Sequence, residues 1–233
     1  MVFQPRPWWS LPTVALKHLC LSDVFSTHGR TNSRPMLTPR TEQGSIKRLI
    51  VRATETSISG SMLVAPNLFS DSRGYFLETW QTRSYSAADL PFKFVQDNFS
   101  NSHRNVLRGL HYQIGHAAQG KLVWVSAGIV FDVVVDLRRS SPTFGKWEGH
   151  RLSADTHEQL WIPPGCAHGF LSLTESTMFH YKCTHFYDPD SERTLLWNDP
   201  DLAIDWPLVD GCPPIVSERD RAGLSFATCA KFD

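Results

Sequence analysis

From Val51 onward the chain breaks into short β-type runs separated by clusters of Gly, Pro, Asn and Asp, the pattern of a sheet protein. The run Ile129–Arg138 alternates: Phe131, Val133, Val135 and Leu137 fall on one face, and Asp132, Asp136 and Arg138 share the other with Val130 and Val134. A period of two over this length predicts a strand with one buried and one wetter side. Lys121–Val125 predicts a second strand, joined to the first through Ser126-Ala127-Gly128. Met178–His185 predicts a third, with Phe179, Tyr181 and Cys183 on one face and His180 and Lys182 on the other. Helical periodicity is weak and predicts one short helix near Ser84–Leu90. Many short strands with turns between them and no internal repeat predict an all-β fold, a sandwich or jelly-roll barrel with a few short helices.

Residues 1–50 break this pattern. They carry Arg6, Lys17, Arg30, Arg34, Arg40, Lys47 and Arg48 against only Asp23 and Glu42, with frequent Ser, Thr and Pro. The chain therefore divides into a basic extension, 1–50, and a folded domain, 51–233. The extension reads as disordered, with a transit-like leader as the alternative; no apolar h-region follows a basic start, which argues against a secretory signal. Hydrophobic residues at 41% and charged residues at 20% suit a packed core. The formal net charge is zero, so no global basic field recruits nucleic acid, although a local anion site needs only a few arginines. No apolar run approaches the length of a membrane span. The five cysteines, Cys20, Cys166, Cys183, Cys212 and Cys229, are odd in number and never spaced CxxC. That argues against a disulfide framework or a structural zinc site and for a reducing compartment, so a cytoplasmic location is expected.

Two clusters carry candidate chemistry. In Arg108-Gly-Leu-His111-Tyr-Gln113, simple parity puts Arg108 and His111 on opposite faces of a strand. A glycine within a strand often marks a bulge, which re-aims one side chain, so Gly109 would let both point into one cavity. On these residues alone, a surface Arg108 and a hydrogen-bonded core His111 fit equally well. In Trp161-Ile-Pro-Pro-Gly165-Cys-Ala-His168-Gly-Phe170, the PxGxxH stretch resembles the second half of a cupin signature. Metal-binding cupins carry an HxH pair upstream; here that step reads His111-Tyr-Gln113, a broken ligand set. The expectation is a cupin with no catalytic metal and no cofactor. His168 alone also fits a turn histidine bonded to local backbone. Lys121, Tyr181, Asp220 and Asp71-Ser-Arg73-Gly74 would each pass as structural or surface residues by themselves.

Taken together they become specific. Asp71-x-Arg73-Gly74-x-Phe76-x-Glu78, Gln96-Asp-Asn98-x-Ser100, Val106-Leu-Arg-Gly-Leu-His111-Tyr-Gln113 and Gln119-Gly-Lys121-Leu-Val resemble the dTDP-4-dehydrorhamnose 3,5-epimerase family. So do Asp132-Val-x-Val-Asp136-Leu-Arg138, Ser141-Pro-Thr-Phe-Gly145, Leu160-Trp-Ile-Pro163, Ala167-His-Gly-Phe170, Tyr181-Lys182 and Leu196-Trp-Asn-Asp-Pro200. The order and spacing agree from Ser61 to Arg221, and so many ordered matches far exceed a single short motif. The extension has no counterpart in the family pattern. Cys166 stands where the family usually has Phe, and is expected to line or back the pocket.

The resemblance implies a cupin-type double-stranded β-helix, a jelly-roll barrel, acting on a dTDP-linked 4-keto-6-deoxyhexose without a redox cofactor. His111 is the implied base, since imidazole titrates near neutrality, and Asp220 its orienting partner, across a small insertion at Gly211–Pro214. Lys121 is the implied oxyanion stabiliser, a role worth on the order of 3 kcal/mol, and Tyr181 the acid on the far face. Arg73 and Arg108 are implied diphosphate ligands, as guanidinium forks suit phosphate. Gln96, Asn98, Phe76 and Glu78 are implied contacts to nucleotide or sugar, and His168 a sugar-pocket residue. A homodimer whose partner supplies part of the nucleotide pocket is implied, as is a role in supplying activated L-rhamnose for cell-surface polysaccharide. A single-centre epimerase or 3,4-ketoisomerase on the same scaffold, a non-catalytic sugar-binding cupin and a metal cupin are the rival readings.

Overall fold

Alternation of inward and outward side chains organises the chain into two facing sheets and a hairpin. The computed structural model describes residues 51–90, 93–208 and 211–233; the extension expected over residues 1–50 lies outside the described residues. One sheet has six strands: β1 (Arg52–Glu55), β2 (Met62–Ala65), β5 (Gln96–His103), β7 (Lys121–Ala127), β10 (Gln159–Ile162) and β12 (Ser176–Cys183), in the order β1-β2-β10-β7-β12-β5. The other has five: β6 (Leu107–Gln113), β8 (Ile129–Asp136), β9 (Trp147–Ser153), β11 (Cys166–Ser172) and β13 (Glu192–Thr194), in the order β13-β6-β11-β8-β9. β3 (Leu68–Asp71) and β4 (Gly74–Leu77) pair only with each other. All these pairings are antiparallel, and consecutive strands cross repeatedly between the sheets. That is the jelly-roll barrel of the cupin type.

The inner faces make the core. Val123, Val125, Leu160, Ile162 and Phe179 from the six-stranded sheet meet Val130, Val134, Leu152, Cys166 and Phe170 from the five-stranded one. Phe170 and Phe179 stack across the gap with ring centroids 4.1 Å apart. Burying a ring of this size contributes about 2 kcal/mol. The expected inward face of β12 is confirmed: Phe179 and Cys183 are buried and Tyr181 is half-buried. On its outward face His180 stacks on Trp124 and Lys182 pairs with Asp97.

β8 departs from the expectation of one wetter face. Its Asp132 and Asp136 are fully buried, as are Val130 and Val134 beside them. They face the inter-sheet core, while Val133, Val135 and Leu137 face a second core made with Leu195, Leu202, Trp206 and Cys229. The C-terminal segment covers what would otherwise be the outer surface, so both faces are dry. Asp136 is sustained there by Arg138, Ser141 and Thr143. Burial opposes its ionisation, and these donors more than offset it, holding the carboxyl at about 2.

The expected helix is α1 (Thr82–Ser86), shorter than the span read from the sequence. The Gln81 side chain caps it by accepting from Ser84 N–H at 2.8 Å. Beyond Ala87 the chain turns, and Asp89 takes a left-handed φ of 59°, which ends the helix before Leu90. Tyr85 and Leu90 pack on Leu122 and Trp161, covering the outer side of the six-stranded sheet. The cysteines among the described residues, Cys166, Cys183, Cys212 and Cys229, are all unpaired. No helix among the described residues is long and apolar enough to cross a membrane.

Candidate active site

A cavity of about 860 Å³ opens between the two sheets, walled by both. From the five-stranded sheet it receives Arg108, His111 and His168, and from the six-stranded sheet Gln96, Asn98, Lys121 and Tyr181; Asp220 closes it from the C-terminal segment. Eight of the site residues read from the sequence therefore share one space.

Gly109 is what lets Arg108 and His111 face the same way. His168 lies opposite His111 and Phe170 opposite Arg108, so β6 carries one more residue than β11 across this step, a bulge. Gly109 sits at φ +123°, and a Cβ there would lie 2.6 Å from the Gly169 Cα and 2.8 Å from the His168 carbonyl oxygen. Only glycine supplies both the left-handed φ and the clearance. The bulge expected from the sequence is present, and it overrides strand parity.

His111 Nε2 lies 2.6 Å from Asp220 Oδ1. The carboxylate comes from α2 (Glu218–Arg221), whose Ser217 cap accepts from the Asp220 N–H at 3.1 Å. Gly109 N–H also donates to Asp220 Oδ2, at 3.3 Å. Burial resists ionisation of Asp220, yet His111, the Gly109 amide and Ser217 together hold its carboxyl below the usual range. An ionised carboxylate at this distance favours the tautomer with hydrogen on Nε2, leaving the Nδ1 lone pair to accept a proton.

His168 forms a second pair. Its Nε2 lies 3.0 Å and 3.1 Å from the two Asp132 oxygens, and both residues are buried. Burial pushes the imidazole down; Asp132 opposes this, and Lys121 and His111 reinforce it. Lys121 Nζ donates to the His111 carbonyl oxygen at 3.4 Å. Burial lowers its ammonium as well, against the pull of Cys183, Glu192 and Asp132. Tyr181 is raised, chiefly by burial, so its phenol keeps its proton at neutral pH and can donate it.

Arg73, Phe76 and Glu78 are not brought to the cavity within one chain. Arg73 is 88% exposed at the β3–β4 turn and is paired with Asp71 at 2.6 Å. Phe76 and Glu78 are exposed on the same hairpin and just past it. Cys166 does not line the cavity: it is buried in the inter-sheet core behind Phe170 and Phe179, which do. Burial pushes its thiol up to about 12.

Sequence reasoning missed one wall. Tyr187, Glu192 and Arg219 line the cavity as a linked set: Tyr187 Oη donates to Glu192 Oε2 at 2.8 Å, and Arg219 Nη1 donates to the same oxygen at 2.6 Å. Arg219 Nη2 also reaches within 3.2 Å of His111 Nε2. Tyr187 and Arg219 lie outside any alternating run, and β13 is only three residues long, so no periodic signal marked them. The Gln113 side chain is occupied: its Nε2 donates to the carbonyls of Ala117 and Phe186, and its Oε1 accepts from Asp188 N–H. It ties two loops together, and that bonding leaves the HxH step without a second ligand for a metal.

A family model for dTDP-4-dehydrorhamnose 3,5-epimerase matches residues 55–228. The chain is 54% identical over 183 residues to the dTDP-4-dehydrorhamnose 3,5-epimerase of Pseudomonas aeruginosa, covering 78% of this chain and 99% of that one. Among solved structures it is similar to the dTDP-6-deoxy-D-glucose-3,5-epimerase of Legionella pneumophila, crystallised with dTDP-4-keto-L-rhamnose. The TM-score is 0.73 at 45% identity, over 77% of this chain and 95% of that one. The dTDP-4-dehydrorhamnose 3,5-epimerase of Bacillus anthracis, solved with TDP and pyrophosphate, gives a TM-score of 0.72 at 42% identity, over 75% and 99% of the two chains. On fold, cavity and sequence together, the chain belongs to the dTDP-4-dehydrorhamnose 3,5-epimerase family of isomerases.

Proposed function

We propose that the protein epimerises dTDP-4-dehydro-6-deoxy-D-glucose at both carbons flanking the ketone, giving dTDP-4-dehydro-L-rhamnose. The observation that carries this reading is the placement of a carboxylate-backed imidazole, His111, and a protonated phenol, Tyr181, on different sheets of one cavity. Inversion needs a base on one face of the carbon and an acid on the other. His111 takes the proton next to the ketone and becomes an imidazolium stabilised by Asp220. The electron pair moves onto the ketone oxygen as an enolate, which the Lys121 ammonium stabilises in a dry setting. Tyr181 returns a proton to the opposite face; the His111 imidazolium then releases its proton to solvent and the phenolate takes one up, which resets both groups. The second carbon follows the same course.

Arg108 pairs with the diphosphate, Gln96 and Asn98 contact nucleotide or sugar, and His168 fixes a sugar oxygen. Arg73, Phe76 and Glu78 complete the nucleotide pocket of a second copy across a homodimer. The exposed Leu68, Phe69, Tyr75 and Phe76 of the hairpin support that arrangement, since they form an apolar surface suited to burial against a partner. Light scattering on the full chain tests it, with a monomer at micromolar concentration as the adverse result. The biological role that follows is supply of activated L-rhamnose in a cytoplasmic pathway.

The deciding experiment is proton exchange. The protein is incubated with dTDP-4-keto-6-deoxyglucose in deuterated water, and both carbons beside the ketone are followed by NMR. Deuterium at both, with L-rhamnose after reduction, is the expected result. Deuterium at one only indicates a single-centre relative, and none with dTDP binding retained leaves a binding protein.

A further inference from the structure

The segment that follows β12 is held by side chains where a strand would be held by a ladder. Residues 185–188 belong to no helix or strand, so their backbone groups need other partners. Three glutamines from separate parts of the chain supply them. Gln113, at the end of β6, donates from Nε2 to the Phe186 carbonyl at 3.1 Å, and its Oε1 accepts from the Asp188 N–H at 2.9 Å. Gln96 of β5 accepts from the Tyr187 N–H at 2.8 Å. Gln119, just before β7, donates to the His185 carbonyl at 2.9 Å and to the Phe186 carbonyl at 3.3 Å. Tyr187 stands at the centre of this clamp. Its ring lines the cavity although the residue is 51% exposed, and its hydroxyl is already committed to Glu192.

Gln113 does more than fasten a loop. The Phe186 carbonyl belongs to the peptide group before the Tyr187 Cα, and the Asp188 N–H to the peptide group after it. Each peptide is a rigid plane, so fixing both planes fixes φ and ψ at Tyr187, and with them the direction in which its ring leaves the chain. One buried amide, itself steadied by a third bond to the Ala117 carbonyl at 2.8 Å, sets both. Resting on the reading of the cavity as a nucleotide-sugar site, we propose that Gln113 is a positioning residue for that substrate, holding the Tyr187 ring in the cavity wall before the ligand arrives. The polar atoms of Gln113 are taken up by backbone, so it acts through Tyr187. A ligand then meets a wall already in place, and its affinity is not divided by the fraction of time in which the ring would point elsewhere.

The test is a double-mutant cycle with Tyr187, read by calorimetric titration with dTDP. Gln113→Met keeps the length of the side chain and removes its amide. Its dTDP affinity is expected to fall about tenfold, as for a wall in place roughly one-tenth of the time. In turnover, KM for the dTDP-sugar rises while kcat stays within about twofold. Tyr187→Ala alone also weakens dTDP binding, and in that background Gln113→Met changes affinity by less than about twofold, because the ring it positions is gone. A merely structural role would lower affinity equally in both backgrounds. Gln119→Ala loosens the same segment from its exposed side and decides the matter if Gln113→Met does not fold. The expected loss there is about threefold, again absent without Tyr187. Additive losses in the cycle, a fall in kcat with KM unchanged, or full dTDP affinity in Tyr187→Ala would each overturn the assignment. Failure of wild type to bind dTDP would overturn the nucleotide-sugar reading and this role with it, a result distinct from an additive cycle in a protein that binds.

Discussion

The cavity holds two histidine–aspartate pairs built from the same residue types on adjacent strands, and they differ in almost everything else. His168 and Asp132 both come from the five-stranded sheet and are buried. His111 shares that sheet, but its aspartate arrives from α2, more than a hundred positions later in the chain, and its side chain remains 23% exposed. Burial holds His168 toward the neutral form, so its imidazole serves as a fixed hydrogen-bonding group. His111 keeps an open approach with a carboxylate behind it, the arrangement a base requires. Identical side chains thus acquire different chemistry from the solvent access of the imidazoles themselves, since both carboxylates are buried.

The strongest way to break this comparison is to remove the proposed base. His111→Asn is expected to lower kcat by about a thousandfold with dTDP affinity retained, measured by the exchange assay and calorimetry; His168→Asn showing the larger loss would reverse the assignments. A second, smaller effect comes from the orienting carboxylate. Asp220→Asn is expected to lower kcat about a hundredfold with little change in KM. It also carries a pH signature. Because the fold holds Asp220 below its unfolded value, its contribution to stability is present above about pH 4 and is lost as the pH falls through the lowered folded value. The melting temperatures of wild type and variant should draw together as the pH drops below about 4.

The smallest expected effect sharpens the comparison from the other side. His168 is depressed in the fold, so the unfolded chain binds the extra proton first. Its burdened stability is full above about pH 6.5 and declines as the pH falls below that. His168→Gln should lose less melting temperature than wild type between pH 7 and pH 5, while kcat/KM falls by about tenfold for the lost polar contact. An equal pH dependence in the two proteins would contradict a neutral, buried His168.

Legibility in the sequence tracked periodicity. The β12 face bearing Phe179, Tyr181 and Cys183 and the Gly109 bulge were readable because alternation, and its interruption, are local signals. The buried carboxylates of β8 were not, because what dries that face is the tail around Leu202, Trp206 and Cys229, remote in sequence and without a strand pattern of its own. Cys166 was expected in or behind the pocket; it lies behind, packed in the core. The Tyr187–Glu192–Arg219 wall escaped notice because its members unite only when α2 folds against β13 and the loop before it. Arg73, Phe76 and Glu78 were legible only through family resemblance, and a single chain does not bring them to the cavity.

The contact between Gly109 and Gly169 has a practical consequence for redesign. β6 and β11 meet there main chain to main chain, with no side chain as a spacer. The separation of the two imidazoles is therefore a dimension of the peptide skeleton, insulated from changes in side-chain volume nearby. Attempts to reshape the pocket for a different sugar would act through the opposite wall, at Asn98, Ser100 and Phe179, where side chains alone set the clearance. The two histidines form the anvil, and that sheet of side chains is the adjustable jaw.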